Sequence, residues 1–538
     1  MEKRGFSKGT IVLSTSSDPK SFNPIIAKET STTLITGFIF EGLVRINGVT
    51  LKVEPSLAEK WEHDKSGKIW KFYLRKGVKW QDGEEFTADD VVFTFNSLIY
   101  NKEIPTSSRD IFTIDGKKIK VRKIDKYTVE FQLPEKFAPF LRLMTQEILP
   151  EHKLIDRVKK GIFNSSWGVN ENVENIVGTG PFKLKEYRPG EWVILDKNPL
   201  YWKKDKEGRK LPYIERIVFL IVADPNMAIL KFRAGEIDVI SIRGQDYPVL
   251  KPLEKKKNFK IYKLGPSLGS EFLTFNQSLS APIPKYKIKW FRNLNFRKAV
   301  AHCIDKKSII KNVYGGFGIS QDGPMNISSG FFYNKNIKRY EYDLEKAKEL
   351  LKKENFYWKN GQLYDKDSHP VEFTILTNSN NFERIQIGNI IQDDLTKIGM
   401  KVNLLPVEFN TLVSKLSVSK EWEAVIIGLT GGIEPHGGKN VWMSNGQLHL
   451  WNLYPGNQIT EWEKELNEIF EKGAKELNPE KRKRLYDRWQ EIVAEKLPVI
   501  YTVNPIVMYA IKNKFGNIHP TVYGGVFHNI EEIYIKNE

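Results

Sequence analysis

Asp89 and Asp90 are adjacent carboxylates of the kind that general acid–base chemistry uses, and they are the first residues to weigh for catalysis. They follow Thr87 and precede an apolar pattern of Val91, Val92 and Phe95, so their expected role is to cap the unpaired N–H groups of a helix start. Two glycine clusters raise phosphate binding. Gly315-Gly316-Phe317-Gly318 follows a helical segment and Gly178-Thr179-Gly180 opens a strand, so neither has the strand-to-helix setting of a phosphate loop or a dinucleotide fingerprint. There is no GxSxG, and no Ser, His and Asp set stands out. The eight histidines are scattered without metal spacing, and the one cysteine, Cys303, sits at helical spacing from Ala299 and Val300 as core filler. The residue types therefore predict no enzyme, no cofactor and no metal.

The elements that hold these residues are clearest between Ala58 and Phe95. Trp70, Phe72 and Leu74 alternate with Lys71, Tyr73 and Arg75, as in a half-buried strand. A turn at Lys76-Gly77, a short strand around Val78 and Trp80 and a turn at Asp82-Gly83 follow; Thr87 and Asp90 then have capping-box spacing. Gly178 to Trp202 reads as a hairpin turning at Pro189-Gly190, and Leu211 to Ile242 continues in strand–helix–strand alternation. From Phe291 onward helices and strands alternate, with helices at 382–398, 460–474 and 479–496 and a nearly all-apolar strand at 423–429, as expected when both faces are buried.

A length of 538 residues allows several domains, and 40% hydrophobic with 28% charged residues is ordinary for a soluble globular chain. No apolar run approaches the roughly 18–20 residues of a membrane helix. Met1-Glu2-Lys3-Arg4 is charged but no apolar h-region follows, which reads as a mature-like chain without its signal segment; a cytoplasmic protein is the alternative. Lysine and arginine outnumber aspartate and glutamate, 83 to 66, giving a net charge of +17. The basic residues are spread out, and the runs 255–257 and 481–484 adjoin Glu254 and Glu480, so they read as solvated faces and no nucleic-acid partner is expected.

The block from Ala58 to Phe95, the GTGPF hairpin and their order along the chain resemble the family 5 extracytoplasmic solute-binding proteins, the oligopeptide, dipeptide and nickel receptors of ABC importers. The resemblance runs from about Ile11 to Ile535. It implies an α/β, type II periplasmic-binding-protein-like fold of two lobes with an additional inserted domain: lobe I from 1–55, 178–270 and 505–538, the insert at 56–177, and lobe II at 271–504. It implies capture of a di- or oligopeptide between the lobes and delivery to ABC permease subunits, by a monomer in the periplasm or outside the cell. Ligand-facing backbone is then expected at Lys28, Glu29 and Thr30 and at Gly428, Leu429 and Thr430. Peptide-binding members place an ammonium-gripping aspartate where this chain has Gly432; Glu434 is a nearby substitute.

Three rivals stand beside that reading. An oligosaccharide receptor of the same architecture would use a tryptophan wall, for which Trp442 and Trp451 with Asn440, Asn445, Gln447 and His449 are the candidates. A hydrolase would need a nucleophile or metal in the cleft. A basic nucleic-acid binder would lose affinity steeply with salt.

Overall fold

The computed structural model describes residues 9–27 and 29–536. The chain divides into two compact units, one of Met1–Ile242, Leu250–Tyr262 and Met508–Glu538, the other of Arg243–Val249 and Lys263–Val507.

In the first unit, strand Thr10–Thr15 lies parallel to Arg216–Ile221 along its whole length and parallel to Val239–Ser241 on its other side. Trp192–Lys197 joins antiparallel to Arg216–Ile221, and Phe182–Arg188 closes that edge as the expected hairpin. Main-chain N–H of Val12 donates to buried Asp238 at 2.9 Å. A separate four-stranded antiparallel sheet runs Ala58–His63, Ile69–Leu74, Thr128–Gln132, Lys120–Asp125. Its inward residues build an aromatic core: Phe131 meets Phe72, Phe95 and Phe140 edge-on at 5.1 to 5.5 Å between ring centres. The short strand expected around Val78 and Trp80 is only a single bridge, Lys79 to Glu85.

The helix after it begins as the sequence predicts. Thr87 and Asp90 form a capping box over Ala88–Phe93, which continues into a wider π-helical turn, Thr94–Ile99. Asp90 is buried and accepts from the main-chain N–H of Thr87 and of Glu151 at 2.9 and 3.0 Å and from the Trp80 indole at 3.3 Å. Burial pushes its carboxyl up to about 6 against those hydrogen bonds. The carboxylate ties three chain segments together, which is a structural task.

The second unit is built on a five-stranded sheet ordered Lys401–Val407, Glu372–Asn378, Ala424–Leu429, Ser270–Phe275, Val499–Tyr501. Ala424 and Ile426 face one hydrophobic core with helices Leu294–Cys303, Leu344–Lys353 and Phe382–Thr396; Val425 and Ile427 face another with Glu461–Lys475 and Pro479–Lys496. The strand is apolar at consecutive positions because both faces are covered. Cys303 is buried in the first of these cores, where burial pushes its thiol up.

The run Lys481-Arg482-Lys483-Arg484 is not wholly a solvated face. Arg482 is buried, donating to the Gly473 carbonyl at 2.8 Å and lying over the Phe332 and Tyr486 rings. A second buried charge, Glu463, caps helix Glu461–Lys475 through a capping box with Thr460. It also accepts from the Trp451 indole at 3.1 Å and the Asn452 amide at 3.1 Å, and His449 Nε2 lies 3.0 Å away. Burial alone would raise its carboxyl; the contacts of His449 and Thr460 hold it down at about 2. Because this folded value lies below the usual one, the contribution is complete at neutral pH and is lost as pH falls from the ordinary carboxylate range toward 2. Glu463→Gln should therefore cost about 3 kcal/mol at pH 7, with the gap between variant and parent narrowing on acidification, as read by denaturant unfolding at pH 7, 4 and 3.

Candidate ligand-contact segments

The first expected segment follows the SFNP turn. Ser21 and Phe22 are fastened to Trp167: the Phe22 N–H donates to the Trp167 carbonyl at 2.8 Å and the Ser21 hydroxyl to the same oxygen at 3.0 Å. Trp167 in turn stacks on Phe40 at 5.4 Å. Lys28 lies outside the described residues. Glu29 is the N-cap of helix Thr30–Thr36 through its backbone; its carboxylate accepts from the Thr32 hydroxyl at 2.5 Å. Burial works against that charge, but the Thr32 hydroxyl and Lys20 keep the carboxyl below its ordinary value. Thr30, the first helical residue, is exposed.

The second expected segment ends a central strand of the second unit's sheet. Ala424–Leu429 pairs antiparallel with Ser270–Phe275 over its full length, Gly428 opposite Glu271 and Leu429 opposite Ser270. On its other side it runs parallel to Glu372–Asn378, but that ladder spans only Ala424 and Val425. Beyond Val425 that ladder is not continued, although strand Glu372–Asn378 itself runs two residues further, to Asn378. The Thr377 hydroxyl reaches the Ile426 carbonyl at 3.0 Å, and beyond it Leu429 is half-buried and Thr430 exposed. Parallel strands 372–378 and 424–429 both end here, at the carboxyl edge where open α/β sheets take their ligands.

Side chains crowd this edge selectively. Arg384, near the start of helix Phe382–Thr396, forms a two-pronged ion pair with Glu271 at 2.7 and 3.1 Å and donates to the Asn378 amide oxygen at 2.8 Å. The pair lies over Gly428: a Cβ there would stand 2.4 Å from Arg384 Nη2 and from Glu271 Oε1. Three residues on, a Cβ at Gly431 would stand 1.7 Å from the Leu268 carbonyl oxygen, whereas one at Gly432 would meet nothing nearer than 4.0 Å. The Arg384–Glu271 pair was not visible from sequence, since its members are 113 residues apart.

Glu434 stands close by but is engaged. Arg482 donates to its Oε2 at 2.9 Å and to its Oε1 at 2.5 Å, and the carboxylate also caps the turn at Pro435 through the His436 N–H at 3.1 Å. The tryptophan wall does not form. Trp442 and Trp451 are 5% and 1% exposed, packed on each other at 5.5 Å with Trp489 against Trp442 at 5.4 Å, so neither ring offers a free face for a sugar. His449 is buried against Glu463 rather than in a wall, while Asn440, Asn445 and Gln447 are exposed. Among the described residues no group of three or more His, Cys, Asp or Glu side chains could hold a metal ion.

A model of the bacterial extracellular solute-binding proteins, family 5, middle region, matches residues 52–447. The chain belongs to this family of solute-binding proteins. A probable ABC transporter-binding protein of Deinococcus radiodurans is 30% identical over 92% of this chain and 86% of its own. The oligopeptide-binding protein AppA of Bacillus subtilis is 28% identical over 78% of this chain and 73% of its own. The solved structure of AppA from Bacillus subtilis with a nonapeptide superposes with a TM-score of 0.77 at 26% identity, covering 98% of this chain and 99% of that one. The type II α/β fold expected from sequence is thus the fold of this solute-binding protein. Among its described residues no helix is long and apolar enough to cross a membrane.

The three glycines of the second segment should respond differently to a methyl group. Gly431→Ala forces main chain against main chain and should lower the melting temperature most; Gly428→Ala displaces two flexible side-chain ends and should cost about 1–2 kcal/mol; Gly432→Ala should be close to neutral. Thermal unfolding of the three variants checks that order, and a costly Gly432→Ala would contradict the geometry.

Proposed function

We propose that this protein captures a di- or oligopeptide and delivers it to the permease of an ABC importer. The observation that carries the reading is the strand edge from Ile426 to Leu429, paired along one side by Ser270–Phe275 and unpaired on the other beyond Val425. An extended peptide laid beside such an edge gains main-chain hydrogen bonds as if it were another strand, whatever its side chains. Gly432 leaves its place free of bulk, whereas Gly428 makes room for the Arg384–Glu271 pair, which puts both signs of charge beside the edge. Glu29 and Thr30 are the contacts proposed from the first unit, and 56–177 is read as the domain inserted into lobe I.

The relatives named for oligopeptides, and the AppA structure solved with a nonapeptide, support the ligand class. The buried indoles of Trp442 and Trp451 weigh against an oligosaccharide held by aromatic stacking. The engagement of Glu434 by Arg482 favours a fastening role for that carboxylate, since an incoming ammonium would have to compete with a guanidinium already in place.

Native mass spectrometry of gently purified protein should show a bound peptide. A peptide library should raise the melting temperature, with a stabilisation of about 2.7 kcal/mol at a hundredfold excess over Kd. A bound solute whose fragments are not peptide, or the lack of any thermal shift with peptides of two to nine residues, would remove the peptide reading.

A further inference from the structure

Two basic runs that look alike in the sequence are neutralised to different degrees in the structure. In the run 481–484, Arg482 is paired with Glu434 at 2.9 Å and Lys483 with Asp487 at 2.6 Å. Lys255, Lys256 and Lys257 lie exposed in the turn after Leu253, and among the described residues none of the three forms an ion pair. Glu254 beside them is held by Lys251 and by the Ile261 N–H at 2.7 Å.

The fold brings more lysines to this turn. Strand Phe259–Pro266 starts beside the end of strand Val503–Lys512 in the same sheet. The Asn513 N–H donates to the Asn258 carbonyl at 3.0 Å, and the Asn513 amide donates to the Asn258 amide oxygen at 3.0 Å. The Lys512 ammonium reaches the Lys257 carbonyl at 3.4 Å and lies over the Phe232 and Phe259 rings. Just past strand Tyr534–Ile535, the Lys536 N–H donates to the Lys514 carbonyl at 2.8 Å and its ammonium to the Asn513 carbonyl at 3.1 Å. Three distant segments thus gather Lys255, Lys256, Lys257, Lys512, Lys514 and Lys536 at one end of the first unit's sheet. Asp238, the acid beside Lys514, is taken by it at 2.8 Å and by the Val12 N–H at 2.9 Å.

Like charges brought together oppose folding. Burial pulls the Lys512 ammonium below its ordinary value; Asp238 opposes that, and Lys257 and Lys514 add to it. A surface that collects cations without matching acids is in conflict with its own stability, and an external anion relieves the conflict. The residue type narrows the anion. All six are lysines, point charges on flexible stems that suit a fluid array of phosphates, whereas a defined phosphate or carboxylate site uses the planar fork of arginine. All but Lys512 are exposed, so they present a surface and not a pocket.

We infer that this lysine cluster docks the protein on an anionic phospholipid surface and holds it beside the membrane in which the proposed importer sits. The inference goes beyond the peptide reading and does not depend on which solute is carried.

The test is co-sedimentation of the full chain with phosphatidylcholine vesicles, pure or containing phosphatidylglycerol, at low and high salt. The parent should bind only the anionic vesicles, and salt should release it. K255Q/K256Q/K257Q should weaken vesicle binding about tenfold or more, whereas K481Q/K483Q/R484Q, which removes as many charges, should keep it within about twofold. K255R/K256R/K257R should bind as the parent does, and melting temperatures show that the variants are folded. A parent that ignores anionic vesicles overturns the inference. Equal losses in the two glutamine variants also overturn it, because net charge alone then accounts for binding. So does tighter binding to a single-stranded oligonucleotide that K255Q/K256Q/K257Q abolishes, which would assign the cluster to nucleic acid.

Discussion

Burial of strand Ala424–Leu429 on both faces is the constraint on which the second unit depends. Ala424 and Ile426 fill one core, Val425 and Ile427 the other, and each of the valine and isoleucine side chains contributes about 1.5–3 kcal/mol by leaving water. A slip of one residue would exchange the two faces and mismatch both cores, so the register against Ser270–Phe275 is fixed throughout the strand. That register sets where the apolar run stops. It stops at Gly428, and the chain beyond must leave the sheet with main-chain groups still unpaired on one side. The position of the proposed recognition edge is therefore a consequence of core packing several residues earlier.

Buried ions do a second kind of work. Asp90 and the Glu434–Arg482 pair join segments distant in sequence, Glu463 ties a helix start to the turn just before it, and each is satisfied by several donors. Deleting one partner leaves the other desolvated and unpaired, which costs more than the intact pair is worth. These sites fix geometry more than they add stability. Glu41 belongs with them: it accepts from the Trp202 indole at 2.9 Å and the Tyr201 hydroxyl at 3.2 Å, and burial pushes its carboxyl up to about 7. Its sign is opposite to that of Glu463. A raised carboxyl favours the folded state at low pH, and that advantage fades as pH rises from the ordinary carboxylate range through 7. The two groups pull the stability profile from opposite ends.

Local features were legible in the sequence because local chemistry determines them. Thr87 with Asp90, Asp305, Asp343, Asn478 before Pro479 and Thr460 with Glu463 all cap helices whose starts the sequence marks. The apolar run after Glu423 announced a strand covered on both sides. What was hidden depends on tertiary position. Lys481 and Arg482 are neighbours of the same charge, yet one is solvated and the other is buried over two aromatic rings, and no composition rule separates them. Trp442 and Trp451 have the composition of a ligand wall and the location of a core. The wider turn at Thr94–Ile99 continues an amphipathic pattern that reads as plain α-helix. The candidate site was half legible: the backbone segment at 428–430 came from the family resemblance, whereas the charged pair beside it is assembled from residues 271 and 384, which no spacing rule connects.

Glycine at 428 and 431 has a physical reason that differs from the usual one. Neither has the left-handed backbone that favours glycine; each is small because something already occupies the place of its Cβ, an ion pair at Gly428 and a carbonyl oxygen at Gly431. Such close approach holds the strand end rigidly against Leu268 and Glu271 without bulk on the open side. A surface that offers main-chain hydrogen bonds from a fixed backbone gains affinity from the ligand's own backbone, and it loses little conformational entropy on binding because it was ordered beforehand. Selectivity must then come from whatever charges border the edge. In this chain those charges come from two elements, Arg384 at the start of the helix that follows strand Glu372–Asn378 and Glu271 on the strand paired with the edge, and because both pack over Gly428 the edge and its charged border are coupled through that glycine.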